Sequence, residues 1–173
     1  MNALIKSVSE AKVLVILGIL FIGFNLLIPF FLPKDQALDL RFAYSVEEAT
    51  FLMNQLTVDQ ISDYKFGLMA LDMPYLIAYS LLFAGILFKL WGSSFLIYVP
   101  FFAGLADFIE NLAVFQVLDG LPKASESWII FASVSTTAKW IFVAILITGV
   151  LGGVFRKLLS KKSVITDSQE IKI

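Results

Sequence analysis

Four long apolar runs separated by short polar breaks organise this chain. They cover residues 13–32, 66–88, 95–118 and 128–155. At a rise of about 1.5 Å per residue, a helix of about 20 residues crosses the roughly 30 Å hydrocarbon core of a bilayer. The pattern therefore predicts an all-α integral membrane protein, a four-transmembrane-helix bundle forming one domain over residues 1–173. The first run is read as a span and not as a cleaved leader. It is longer than a leader's apolar region, and Pro29 and Pro33 are followed by no small-x-small cleavage site.

The breaks are as informative as the runs. Residues 1–12 are a short polar lead, and residues 34–65 form the only long polar segment. Ser45-Val46-Glu47-Glu48 and Thr57-Val58-Asp59-Gln60 each fit a capping box, in which a hydroxyl and an acid or amide three residues later satisfy two free backbone N–H groups. Two short helices are expected there, with Phe51, Leu52 and Leu56 on the apolar face that covers the bundle mouth. Lys89–Ser94 and Asp119–Lys123 read as turns, and residues 160–173 as a disordered tail.

Basic residues orient the spans. Lys6, Lys12, Lys89, Arg156, Lys157, Lys161, Lys162 and Lys172 fall on one side, against Lys34, Arg41, Lys65 and Lys123 on the other. The richer side is expected to be cytoplasmic. Both termini then lie inside, residues 34–65 lie outside, and a bacterial inner membrane is the expected location.

Composition narrows the chemistry. Hydrophobic residues make up 59% of the chain and the mean hydropathy is +0.88, above the range of soluble domains. The net charge of −1 and the lack of a basic stripe argue against a nucleic-acid partner. Cysteine and histidine are absent, which removes thiol chemistry, the commonest metal ligand and the commonest general base. No cofactor and no metal is expected, and any catalysis would fall to carboxylates, Lys or Tyr.

The candidate site consists of polar residues placed inside the apolar runs. A charge at bilayer depth costs roughly 2.5–3.5 kcal/mol on insertion scales, so such residues face partners or a cavity. Asp107, Glu110 and Asn111 stand at i, i+3 and i+4 and share a helix face. Ser135 and Thr136 share a face with Lys139. Asp72, Tyr75 and Tyr79 form a stripe on the second span, where Pro74 frees the carbonyl of Ala70. Asn25 on the first span falls at similar depth. One lysine against three acids leaves carboxylates that must be protonated, solvated or matched to a ligand cation. The 17 Phe read mainly as lipid-facing or packing residues, Phe101, Phe102 and Phe108 among them. Gly18, Gly23, Gly149, Gly152 and Gly153 read as points of close helix approach or as places where the helix surface is thinned.

Three functions compete on this evidence. The first is an acidic intramembrane pocket for a membrane lipid or a small amphiphilic or cationic ligand, lined by Asn25, Asp72, Tyr75, Tyr79, Asp107, Glu110, Asn111, Thr136 and Lys139. The second is a non-catalytic accessory subunit with a membrane-protein partner, or a homo-oligomer. The third is an intramembrane enzyme using Asp107 or Glu110 as acid and base. A charge-paired core holding four helices together is the plain structural alternative to all three.

Leu71-Asp72-Met73-Pro74-Tyr75, Ala106-Asp107-Phe108-Ile109-Glu110-Asn111 and Ala138-Lys139-Trp140 together resemble a group of bacterial four-span proteins. That resemblance implies architecture and no activity. In layout the chain also resembles the EXPERA fold of the emopamil-binding and sigma-2 receptor proteins, with four spans, a structured segment after the first and acids facing a lipid-accessible pocket. The histidine that sterol isomerases of that group use is missing here, so no residue role is carried over.

Overall fold

A computed structural model describes the backbone of residues 2–170 and the side chains of residues 3–160. Seven helices follow one another: α1 (Asn2–Val8), α2 (Ala11–Leu27), α3 (Val46–Met53), α4 (Val58–Phe66), α5 (Met73–Trp91), α6 (Val99–Asp119) and α7 (Glu126–Glu170). Among the described residues there is no strand. Four helical stretches are long and apolar enough to cross a membrane: Ala11–Phe30, Val58–Trp91, Phe95–Asp119 and Glu126–Ser160.

α6 is the central element, packing on α5 and most extensively on α7. Its sequence explains this. Ala103, Ala106, Asp107, Glu110, Ala113, Val114 and Val117 recur at helical spacing and are all buried, and several are small enough to let neighbouring backbones come close. α2 leans on α5, and Leu17 is its one buried residue. α1 folds back onto the opposite end of α5 through Ile5 and Val8.

The polar segment departs from expectation in an instructive way. Its second helix does not end before the second span. α4 continues through a π-helical turn at Gly67–Asp72 into α5. In that turn the Met73 N–H reaches the carbonyl of Leu68. Pro74 follows directly, with no N–H of its own and a ring that would crowd the carbonyl four residues back, and a wider turn relieves that conflict. The Thr57–Gln60 capping box forms completely. The Ser45 box forms by half: Ser45 accepts from the Glu48 N–H at 3.1 Å, but the Glu48 carboxylate turns to Arg41 instead of its own cap. The buried face of α3 is Ala49 and Met53, with Leu52 partly covered, while Phe51 points outward.

At the end of the molecule that carries residues 31–57, Lys65 pairs with Asp119 and ties α4 to the end of α6. At the other end the Trp91 indole donates to the carbonyl of Gly149 at 2.8 Å, and the Arg156 guanidinium lies 5.1 Å from the ring centre. Gly92, with φ of +66°, stops α5 in the left-handed region where glycine is favoured.

One expectation is corrected. A Cβ added at Gly18 or Gly23 would meet nothing within 4 Å, so neither marks a close helix approach. The close approaches are at Gly67, Gly85, Gly104 and Gly153. α7 runs on to Glu170, over part of the tail expected at 160–173, and residues 171–173 lie outside the described part.

Candidate functional site

Lys139 is the hub of the polar interior. α7 places it opposite the acidic face of α6, where its Nζ lies 3.2 Å from Asp107 Oδ1 and 2.5 Å from Glu110 Oε2. All three side chains are buried. A third contact comes from outside the long helices: Lys139 Nζ donates to the backbone carbonyl of Asp39 at 3.3 Å. The ammonium thus has three oxygen neighbours, two as hydrogen-bond acceptors and Glu110 as an ion pair.

Each acid is held by further donors. Asp107 Oδ2 accepts from the Tyr79 hydroxyl at 3.0 Å, linking α5 to α6. Glu110 Oε1 accepts from Thr136 Oγ1 at 2.6 Å, and the Tyr44 hydroxyl stands 3.5 Å from the same Thr136 oxygen. Asp72 Oδ2 accepts from Asn111 Nδ2 at 2.5 Å. The spacing of Asp107, Glu110 and Asn111 on one face therefore has a structural consequence. The face splits between two neighbours, with Asp107 and Glu110 engaging α7 and Asn111 engaging Asp72 on the far side.

A cleft of about 400 Å³ opens beside this network between α2, α5 and α7. Asp72, Tyr75, Tyr79, Asp107 and Lys139 line its polar part, together with Asn25. Phe21, Phe83, Val143, Leu146 and Ile147 line an apolar part. Phe21 and Tyr75 stack with ring centres 5.6 Å apart, and Tyr75 meets Tyr79 edge-on at 5.2 Å, so one wall is a continuous aromatic ladder.

Not every expected residue reaches the cleft. Glu110, Asn111 and Thr136 lie behind it, where they hold Lys139 and Asp72 in place. Asn25 is exposed and bonds to the carbonyl of Phe21 and the Tyr75 hydroxyl, without touching an acid. Ser135 shares the face of Lys139 but donates to its own helix at Phe131, a common use of a helical serine.

Asp39 and Trp140 are the residues that sequence reasoning missed. Asp39 sits in a 3-10 turn, Leu38–Leu40, and its Oδ1 accepts from the Tyr64 hydroxyl at 3.0 Å. The same Tyr64 oxygen accepts from the Leu38 N–H at 3.1 Å. Burial pushes the Asp39 carboxyl above its ordinary value of 3.8, while the charge of Lys139 and the bond from Tyr64 pull it back. Its only signal in the sequence is an acid flanked by Leu38 and Leu40 within a polar segment. Residues 41–44 are then pinned along α7: Thr137 Oγ1 donates to the Phe42 carbonyl at 3.0 Å, and Ser133 Oγ donates to the Tyr44 carbonyl at 2.8 Å while accepting from its N–H. Trp140 also lines the cleft, and its indole nitrogen is buried with no hydrogen-bond partner.

Four carboxylates, Asp39, Asp72, Asp107 and Glu110, therefore surround one ammonium, one more acid than the helices alone supply. Set against protein-family models, curated proteins and solved structures, the chain matches none of them.

Proposed function

We propose that this chain is a multi-pass integral membrane protein that binds a small amphiphile in the cleft between α2, α5 and α7. The carrying observation is the division of that one cleft into a carboxylate-rich end and an apolar, aromatic end. A volume of about 400 Å³ lies within the range of small-molecule sites, which are mostly apolar with a few convergent polar groups. A packed structural core would neutralise its acids, whereas Asp39 and Asp72 each take a hydrogen bond from only one other side chain among the described residues. Exposed Leu40 and Ile147 border the cleft, which supports entry from the surrounding lipid.

The charge distribution supports cytoplasmic termini, with residues 31–57 and the polar end of the cleft toward the outer surface. Asn54→Cys and Lys89→Cys, both at exposed positions of a cysteine-free chain, should then be labelled from opposite sides of the membrane. Labelling of Asn54→Cys from the cytoplasmic side alone would reverse the orientation.

The binding test is native mass spectrometry of the protein released from a mild neutral detergent. Wild type should retain a small molecule, and Val143→Trp, which fills the apolar end, should lose it with the melting temperature maintained. A wild-type chain that carries nothing and takes up nothing from a total lipid extract would overturn the reading. A second reading, an accessory subunit, draws support from the first span, of which only 6% is buried. Purification with a stoichiometric partner protein and without bound lipid would favour it.

A further inference from the structure

The hydrogen-bonding groups that line the cleft can be counted by what they already do. Lys139 donates to Asp107 and to the Asp39 carbonyl and forms an ion pair with Glu110. Asp107 has an oxygen on Lys139 and an oxygen on Tyr79, and the Tyr79 proton is spent on that bond. These groups are committed. Three others are not. Asp72 has one oxygen on Asn111 and the other on nothing among the described residues. Asp39 takes a hydrogen bond from the Tyr64 hydroxyl and from no other side chain among the described residues. The Tyr75 hydroxyl accepts from Asn25 at 3.0 Å, so its own proton remains available.

The remainder is two carboxyl groups and one neutral donor along one cleft. Anionic acceptors take a cation that carries N–H bonds, and the match is a charge-assisted hydrogen bond. A phosphate or carboxylate head would meet three acids, Asp39, Asp72 and Asp107, and one lysine already paired with Asp107 and Glu110, so anionic lipids are rejected. Neutral donors take an uncharged oxygen. The Tyr75 and Tyr79 rings stand beside this region and add a favourable surface for a cation. The apolar end, at a total volume of about 400 Å³, has room for one chain and not for the two of a diacyl lipid.

We infer that the ligand is a single-chain amphiphile with an amino-alcohol head: a protonated amine held by Asp72 and Asp39, and a neighbouring hydroxyl held by Tyr75. This inference rests on the cleft being a ligand site and names the chemistry of its occupant.

The test uses full-length protein in nanodiscs of zwitterionic lipid and five probes of equal chain length: 2-aminododecan-1-ol, dodecylamine, dodecyltrimethylammonium, dodecan-1-ol and dodecanoate. Binding is read from tryptophan emission and confirmed by its loss in Trp140→Phe. The amino alcohol should bind best, and dodecylamine up to about tenfold more weakly, the scale of one hydrogen bond. The trimethylammonium, which has no N–H, should be weaker again, and dodecan-1-ol and dodecanoate weakest. Tyr75→Phe should erase the advantage of the amino alcohol over dodecylamine and leave dodecylamine unchanged. Asp72→Asn should weaken both amines, with Asp39→Asn as the second variant if Asp72→Asn does not fold. Equal binding of dodecan-1-ol and the amines would overturn the inference while leaving the amphiphile site standing. Failure of all five probes would overturn both.

Discussion

Lys139 Nζ and Glu110 Oε2 lie 2.5 Å apart, with Glu110 fully buried and Lys139 nearly so. This contact joins the two most closely packed helices of the molecule, α6 and α7, at the level of the cleft. Glu110 itself does not line the cleft. Its work is to hold the ammonium in place, so that the acids that do line it face a fixed charge.

Removing the ammonium alone should therefore be costly. Breaking a buried pair by deleting one partner leaves an uncompensated charge and costs about 3–5 kcal/mol. Lys139→Met should lower thermal stability in neutral detergent by an amount of that order. Adding Glu110→Gln to Lys139→Met should recover part of it, because the stranded charge is gone. Additive losses in the double mutant would show that the two residues are not energetically coupled.

Asp39 gives the stability a pH dependence of known sign. Burial raises its carboxyl above 3.8, against the opposing pull of Lys139 and Tyr64. The folded chain then holds this proton more tightly than the unfolded chain. The associated stabilisation is complete below the unfolded value, near 3.8, and is lost as pH rises through the folded one. Asp39→Asn cannot titrate. The melting temperature of wild type relative to Asp39→Asn should fall from about pH 4 upward. A difference that stays flat, or rises with pH, would contradict the burial of this group.

Glycine substitutions should separate helix faces that contact neighbours from those that do not. A Cβ at Gly104 would lie 2.4 Å from Ser80 Oγ, which donates to the Pro100 carbonyl at 3.0 Å. Gly104→Ala should destabilise by about 1–3 kcal/mol, and Ser80→Ala in the same chain should relieve part of that. Gly23→Ala meets open space and replaces a poor helix former, so it should be neutral or stabilise by up to about 1 kcal/mol. Equal melting shifts for Gly104→Ala and Gly23→Ala would refute the close approach of α5 and α6.

Much of the architecture was legible because it depends on short-range rules. The long apolar runs marked four helices, and the i, i+3, i+4 spacing put Asp107, Glu110 and Asn111 on one face. The need of a buried lysine for a carboxylate brought Lys139 to α6. Pro74 announced a disturbance in the second span, although its form, a π-helical turn joining α4 to α5, was not written there.

The sequence by itself determined that Asp72, Asp107, Glu110, Asn111 and Lys139 would be buried, since polar residues within apolar helical runs need partners, while Asn25, expected at similar depth, is exposed. The tertiary structure decided which of them meet and which face the cleft. Asn111 turns to Asp72 and not to Lys139, and Glu110 lies behind the cleft it was expected to line. It also decided the role of Asp39, a residue 100 positions from Lys139. Periodicity orders side chains around one helix axis, but it holds no information about where a connecting segment crosses a neighbouring helix. That crossing is set by Tyr64, Ser133 and Thr137, which fix residues 38–44 against the bundle and bring the fourth carboxylate to the site.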